Sequence, residues 1–367
     1  MTLQKLDQIP NTIASLSDYL PYARERVTEQ AWAYLNAGAG DGHTAAENIN
    51  AFQRLQLLPH VMCSTAGAST GVTLFGQTFA HPIMLAPVAY QKLAHVDGEL
   101  ATVLGASALG SPMVVSTQAS FTLEEIAQRA KTPLWFQLYI QPEFDNTLRL
   151  VRRAEAAGYQ ALVVTVDAPV NGLRNEEQRV GFTLPADVQA VNLEAVPKAS
   201  NAQARLNQRL SGPLRSVVPT WESLAQLMAQ TRLPVLVKGV VHPADAEHAV
   251  RAGCAGIIVS NHGGRVLDGV PATIDVLPNV VRVVGKDVPV LLDGGIRRGT
   301  DILKALALGA RAVLIGRPQI YGLATAGAAG VAHVLHVLRT ELEMAMLLTG
   351  RVRIEDIDSS LLWNAAR

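Results

Sequence analysis

Cysteine is almost missing from this chain. Cys63 and Cys254 are the only two in 367 residues. Two are too few for a disulfide framework, so the pattern fits a reducing, cytoplasmic setting with both thiols acting as small buried hydrophobes. An excess of either charge is missing too. Lys plus Arg and Asp plus Glu both total 31, which argues against a partner held by bulk charge, such as nucleic acid or an acidic membrane. The first ten residues carry Lys5 and Asp7 and lack the apolar core of a signal peptide. No run reaches the roughly 20 apolar residues that a membrane span needs. No residue set stands out as a metal site.

What the chain has in quantity is core material: 49% hydrophobic residues against 17% charged, with a mean hydropathy of +0.19. Short apolar runs recur eight times, at Pro82–Ala86, Pro112–Ser116, Leu134–Tyr139, Ala161–Asp167, Pro234–Gly239, Gly256–Asn261, Val288–Gly294 and Ala312–Gly316. Most are continuous rather than alternating, as expected of parallel strands buried on both faces. Amphipathic stretches lie between them, at Thr122–Ala130, Asn146–Ala157, Pro243–Ala252 and Thr300–Leu308, with Gly158, Gly253 and Gly309 placed where helices stop. Eight strand–helix alternations predict an α/β fold, a closed (β/α)8 TIM barrel rather than an open sheet. Pro234-Val-Leu-Val-Lys-Gly and Pro289-Val-Leu-Leu-Asp-Gly open two look-alike units. The chain reads as one domain of 1–367, with an N-terminal cap over 1–70, a barrel over 71–350 and an irregular, lid-like loop over 168–220.

Four groups of residues carry chemistry. Ser260-Asn-His-Gly-Gly-Arg265 ends a barrel strand, where side chains face the active end. There His262 can take a proton and Arg265 can clamp a carboxylate. Asp293-Gly-Gly-Ile-Arg-Arg-Gly299 and Ile315-Gly-Arg-Pro318 follow the last two strands, where barrels commonly hold a phosphate. Lys238 sits at the end of an apolar run and needs a negative partner if buried; a Schiff-base role competes with electrostatic ones. Asp167 either orients His262 or caps a helix. Gln137 and Tyr139 share one strand face and point to a ligand or to ordinary core contacts.

Taken together these motifs resemble the FMN-dependent 2-hydroxy-acid oxidase and dehydrogenase family, which includes glycolate oxidase, lactate oxidase and mandelate dehydrogenase. The likeness runs from about Tyr34 to the last helix. It implies an FMN cofactor, with His262 as base, Asp167 as its partner, and Tyr34, Arg174 and Arg265 on the substrate carboxylate. Tyr139 lies near the substrate hydroxyl and Lys238 at the flavin edge, where it steadies negative charge on the reduced ring. Ser116, Gln137, Thr165 and Ser260 belong to the flavin site, with Pro87, Val88 and Ala89 behind the ring. Asp293, Gly294, Gly295, Arg297, Gly316 and Arg317 serve the ribityl chain and phosphate. Gln118 stands where glycolate oxidase has a tryptophan and Tyr90 where it has a methionine, so the substrate side chain is left open. Ala86-Pro-Val-Ala-Tyr-Gln91 resembles hydroxymandelate-oxidase-like members.

The expected activity is oxidation of a small L-2-hydroxy acid to the 2-oxo acid with O2 as acceptor, giving H2O2. A dehydrogenase passing electrons to a quinone or cytochrome is the alternative. The 168–220 loop holds no long hydrophobic segment for membrane docking, which favours the oxidase. Another FMN barrel, such as an isomerase or nucleotide dehydrogenase, and a non-catalytic phosphate-binding barrel are the competing classes. The resemblance implies a homotetramer.

Overall fold

Eight parallel strands close on themselves in chain order. The structure is a computed structural model that describes residues 2–193 and 218–363. Four short strands among the described residues lie outside the barrel: β1 (Gln56–Leu57), β2 (Val72–Leu74), β3 (Gln77–Phe79) and β12 (Leu362–Trp363), which pairs with β1. The barrel strands are β4 (Ile83–Leu85), β5 (Met113–Ser116), β6 (Leu134–Leu138), β7 (Leu162–Thr165), β8 (Val235–Val240), β9 (Gly256–Val259), β10 (Val290–Asp293) and β11 (Ala312–Ile315), and β11 pairs back onto β4. Each falls within one of the eight expected runs, except that β8 continues one residue past Gly239 to Val240. The expected helices form as well, and Gly158, Gly253 and Gly309 each take positive φ just past a helix end.

The strands read as unbroken apolar runs because both faces are buried, yet the two-residue period is present underneath. Ile83 and Leu85 face the helices and Met84 faces the barrel interior. Around the barrel the interior positions are Met84, Val114, Trp135, Val163, Leu236, Ile258, Leu291 and Leu314, all in a core cluster distinct from the outer one. The lower end is stoppered by the β2–β3 hairpin. Its tip residue Phe75 meets Trp135 with ring centroids 5.6 Å apart, and small residues (Ala161, Gly256, Ala312) leave room for it.

The N-terminal cap is more elaborate than the single helical stretch read from the sequence. It holds α1 (Tyr19–Arg26), α2 (Glu29–Asn36) and α3 (His43–Arg54). Asp268, from a distant loop, accepts the backbone N–H groups of Asp41, His43 and Thr44 and so caps α3. Of the 168–220 loop, residues 194–217 lie outside the described residues; the remainder includes a short helix, Asn175–Arg179. Cys254 is buried as expected, but Cys63 is exposed, because its segment runs over the surface beside Gly350 rather than into the core.

The last helix, Arg317–Leu348, is long and apolar enough by composition to cross a membrane, which the sequence had not suggested. Two thirds of its most apolar window (67%) is buried within the fold, as in a core helix. Non-helical φ/ψ at Ala326 and Gly327 divide it into two arms.

Trp135 joins the hairpin stopper to the barrel interior, below the residues that line the cavity. Trp135→Ala is expected to cost about 3–5 kcal/mol. The check is the thermal midpoint, which should fall while flavin content after purification at low temperature stays near that of the unaltered protein.

Candidate active site

One step of two residues above the apolar layer, the interior positions change character. They become Ala86, Ser116, Gln137, Thr165, Lys238, Ser260, Asp293 and Gly316. This ring forms the floor of a cavity of about 680 Å³ at the carboxyl end of the strands, the end where barrel active sites sit. Seven of the eight line it; Ser260 stands behind the wall. The ring is internally bonded. Lys238 Nζ donates to Ser260 Oγ at 3.0 Å and lies 3.1 Å from Asp293 Oδ2. Burial alone pulls the lysine pKa down, but Asp293 and Asp167 more than offset it and hold Lys238 as an ammonium. A Schiff-base nucleophile needs the neutral amine, so the electrostatic reading fits better. Gln137 Oε1 accepts from Thr117 N–H at 3.1 Å and Ser116 Oγ at 3.3 Å. Its Nε2 and the free Oδ1 of Asp293 are buried with no partner among the described residues.

His262 is carried by an unusual turn. Residues 262, 263 and 264 all have positive φ, at 58°, 62° and 73°. Glycine adopts this freely; histidine adopts it at a cost, and such strain gathers at functional sites. A Cβ on Gly264 would lie 2.5 Å from Ala45 N, so the turn is pressed against the N-terminal cap. Behind it, Asn261 exchanges two 2.8 Å hydrogen bonds with Asn48 of α3. His262 Nδ1 lies 3.0 Å from Asp167 Oδ1, while His262 itself lines the cavity and Asp167 does not. With Nδ1–H donated to the carboxylate, Nε2 is the basic nitrogen. Burial is the largest influence on His262 and leaves its pKa below the usual histidine value despite Asp167. Burial pushes Asp167 upward, but His262 and Lys238 outweigh it and keep the carboxyl ionised.

Across the cavity stand two guanidinium groups and two phenols. Arg174 and Arg265 both lie over the ring of Tyr34, at 5.7 Å and 5.4 Å from its centroid. Tyr34 stacks on Phe182 at 4.9 Å. Arg265 is fixed by Ala37 O at 2.8 Å. Arg174 is held by Glu177 Oε1 at 2.9 Å, and its Nε is buried without a partner. Burial first, then Arg174 and Arg317, push Arg265 down to about 9, which marks a cation-crowded site suited to an anion. Tyr139 lines the same cavity, and burial and then Asp167 push its phenol well up, so it stays a donor. Gln118 lines the cavity as well. Tyr90 does not; it meets Tyr34 edge-on at 5.8 Å and supports it from outside.

The remaining expected residues fall on the same wall: Pro87, Val88 and Ala89 after β4, Gly294, Gly295 and Arg297 after β10, and Gly316 and Arg317 after β11. Not all the expected phosphate donors are free. The N–H groups of Arg297 and Arg298 both go to Asp301 Oδ2 at 2.9 Å. Arg317 spends its two terminal nitrogens on Gly263 O and Ala37 O, leaving Nε buried and unpartnered. Burial depresses both Arg297 and Arg317, and a phosphate beside them would relieve that. The site therefore fits FMN: a cradle of unsatisfied buried polar atoms, an ammonium on the floor, and guanidinium groups at one end. Among the described residues no group of three or more His, Cys, Asp or Glu side chains is placed to hold a metal ion.

Several contributors escaped the sequence reading. Asn48 binds Asn261 and accepts Thr273 N–H; a polar residue on the buried face of an amphipathic helix was the available signal. Gly239 lets Asp167 sit where a Cβ would be 2.5 Å away. Gly172 passes under Val266 O, where a Cβ would be 2.1 Å away, and so sets the path to Arg174. Glu177 gave no signal in one dimension.

The sequence model described as FMN-dependent dehydrogenase matches residues 23–364. An L-lactate oxidase of Alicycliphilus denitrificans is 46% identical over 97% of this chain and 98% of its own length. The human 2-hydroxyacid oxidase 1 is 41% identical, with 95% of each chain covered. A crystal structure of mandelate oxidase with a fluorinated hydroxyphenylpropionic acid superposes with a TM-score of 0.86 at 40% identity, over 94% of this chain and 98% of that one.

A methyl group on Gly295 would lie 1.8 Å from Asn48 O, so the 294–297 turn must shift away from α3. Gly295→Ala is expected to purify largely colourless. Flavin absorbance per mole of protein and the dissociation constant for added FMN check this, and an unchanged constant would refute the role given to the turn.

Proposed function

This chain belongs to the FMN-dependent dehydrogenase family, and on that premise we propose which residues carry its oxidation of a 2-hydroxy acid and what it takes as substrate and acceptor. The carrying observation is that His262, paired to Asp167 at 3.0 Å, shares one cavity with Arg174, Arg265, Tyr34 and Tyr139. Lys238, Asp293, Gln137, Ser116, Thr165 and the turns at 294–297 and 316–317 hold the cofactor. FMN, when bound, supplies the two-electron sink that turns a 2-hydroxy acid into a 2-oxo acid.

The chain's own groups do the rest. Arg174 and Arg265 take the substrate carboxylate and fix the 2-carbon with respect to His262, converting binding energy into orientation. His262 Nε2 receives the proton lost from the hydroxy-acid centre. Asp167 keeps the ring in the tautomer that can accept it, then stabilises the imidazolium. Tyr139, held protonated, donates to the substrate oxygen. Lys238 meets negative charge that develops on the cofactor side of the cavity.

Dioxygen as acceptor is supported by the relatives, which are named as oxidases. Small substrates of the lactate type are supported by the 46% identity to L-lactate oxidases. A cytoplasmic location rests on the pair of free thiols. Self-association into a homotetramer rests on exposed apolar surface: Val61 and Met62, near Gly350, and Leu347 and Leu348 at the end of the last helix.

His262→Ala should remain yellow yet lose about 10²–10⁴-fold in anaerobic bleaching rate by L-lactate; normal bleaching would remove His262 from its role. The base must be neutral, so kcat/KM is present above the His262 pKa and lost below it. Since burial lowers that pKa, the acid limb is expected below about 6.5. Asp167→Asn removes a raising influence and should move the limb lower still while reducing the rate; a pH profile of both proteins checks the sign. Comparing glycolate, L-lactate and mandelate, with H2O2 counted per turnover, tests substrate and acceptor together.

A further inference from the structure

The guanidinium pair has a counter-ion that is not part of the cavity wall. Glu177 Oε1 lies 2.9 Å from Arg174 Nη1 and 3.9 Å from Arg265 Nη2, so one carboxylate serves both. All three side chains are largely buried, at 17%, 18% and 15% exposure for Arg174, Glu177 and Arg265. Arg174 and Arg265 line the cavity and Glu177 does not. It therefore acts from behind the two cations rather than occupying the place of substrate. Its neighbour Glu176 is exposed and pairs with Arg179, away from the site.

The surrounding charges make this placement consequential. Arg317 also presses on Arg265, but it lines the same end of the cavity as Arg297, where the phosphate of FMN, when bound, would balance the two. On the reacting side, Lys238 lies between Asp293 and Asp167, which together carry one negative charge more than it cancels. Arg174, Arg265 and Glu177 thus form a local group with one net positive charge among the described residues. At separations of a few ångströms inside a protein, one unit charge more or less changes anion binding strongly.

We propose that Glu177 sets the charge number of the substrate: it leaves the arginine pair one net positive charge, so the site takes a 2-hydroxy monocarboxylate and discriminates against a dicarboxylate of equal size. The inference rests on the function proposed above and names a positioning residue, since Glu177 acts through the two arginines. The same carboxylate holds Arg174 next to Arg265 while the site awaits substrate.

Propionate and malonate provide the test, because they differ by a methyl group against a carboxylate and neither has a hydroxyl to oxidise. Their dissociation constants are measured by calorimetry and by perturbation of the flavin spectrum on FMN-loaded protein, at a pH where both acids are fully ionised. The unaltered protein is expected to bind propionate more tightly. Glu177→Gln should shift the ratio toward malonate by about tenfold, and Glu177→Asp should keep it near the original value. If Glu177→Gln fails to retain FMN, Glu177→Ala must give the same shift. A ratio that moves less than about threefold, or two acids weakened in parallel, overturns the proposal and leaves Glu177 a structural brace. Failure of the broader functional reading looks different: unaltered yellow protein that binds neither acid and is not bleached by any 2-hydroxy acid.

Discussion

A side chain inside a closed parallel barrel can meet only other interior side chains, and the pleat allows each strand one such position every second residue. That constraint organises this protein. One set of interior positions is apolar and carries the barrel; the next set up is polar and carries the chemistry. Lys238 is buried and charged, and it is tolerable there because Ser260, at the end of the adjacent strand β9, and Asp293, on β10 one strand further on, reach it within the same ring. Leaving Asp293 out would strand a charge at a cost of about 3–5 kcal/mol. The look-alike units opened by Pro234 and Pro289 gain a physical sense from this: they place a cation and an anion at corresponding strand ends, where the two pair.

Above that floor, precision comes from outside the barrel. The His262 turn is pressed on α3 through Gly264 and Asn48, and Arg265 and Arg317 share Ala37 O as an anchor. Tyr34 of α2 lies beneath both Arg174 and Arg265. The N-terminal cap is thus a wall of the active site as much as a cover. Unfolding of the cap would release the base and the clamp together while leaving the lower barrel intact.

Much of this was legible in one dimension because the barrel ties function to sequence position. A residue at the end of a strand run faces the site, so Gln137, Lys238, His262 and Asp293 could be read from where apolar runs stop, whereas Ser116 and Thr165 came from family likeness. Family likeness supplied Tyr34 and Arg174, which no strand end marks. Asn48 showed only as a polar residue on a buried helix face, its partner Asn261 lying far along the chain, and Glu177 was missed because its reach to Arg265 depends on a loop path set by Gly172 passing under Val266. The exposed Cys63 was misread for a related reason: composition describes how often cysteine is buried, not where one surface segment runs. Arg297 was assigned to the phosphate end, but its N–H goes to Asp301, close enough along the chain to take it first.

The Phe75 stopper has a kinetic consequence. With its lower mouth filled by aromatic rings, the barrel offers no passage from below, and molecules arrive and depart at the strands' carboxyl end. With the role proposed for Arg174 and Arg265, a hydroxy acid and the keto acid made from it, which carry the same carboxylate, would compete for one arginine pair. Turnover in such a one-doored chamber would then be paced by departure as well as by chemistry, since a keto acid still in place would hold the clamp that the next substrate needs.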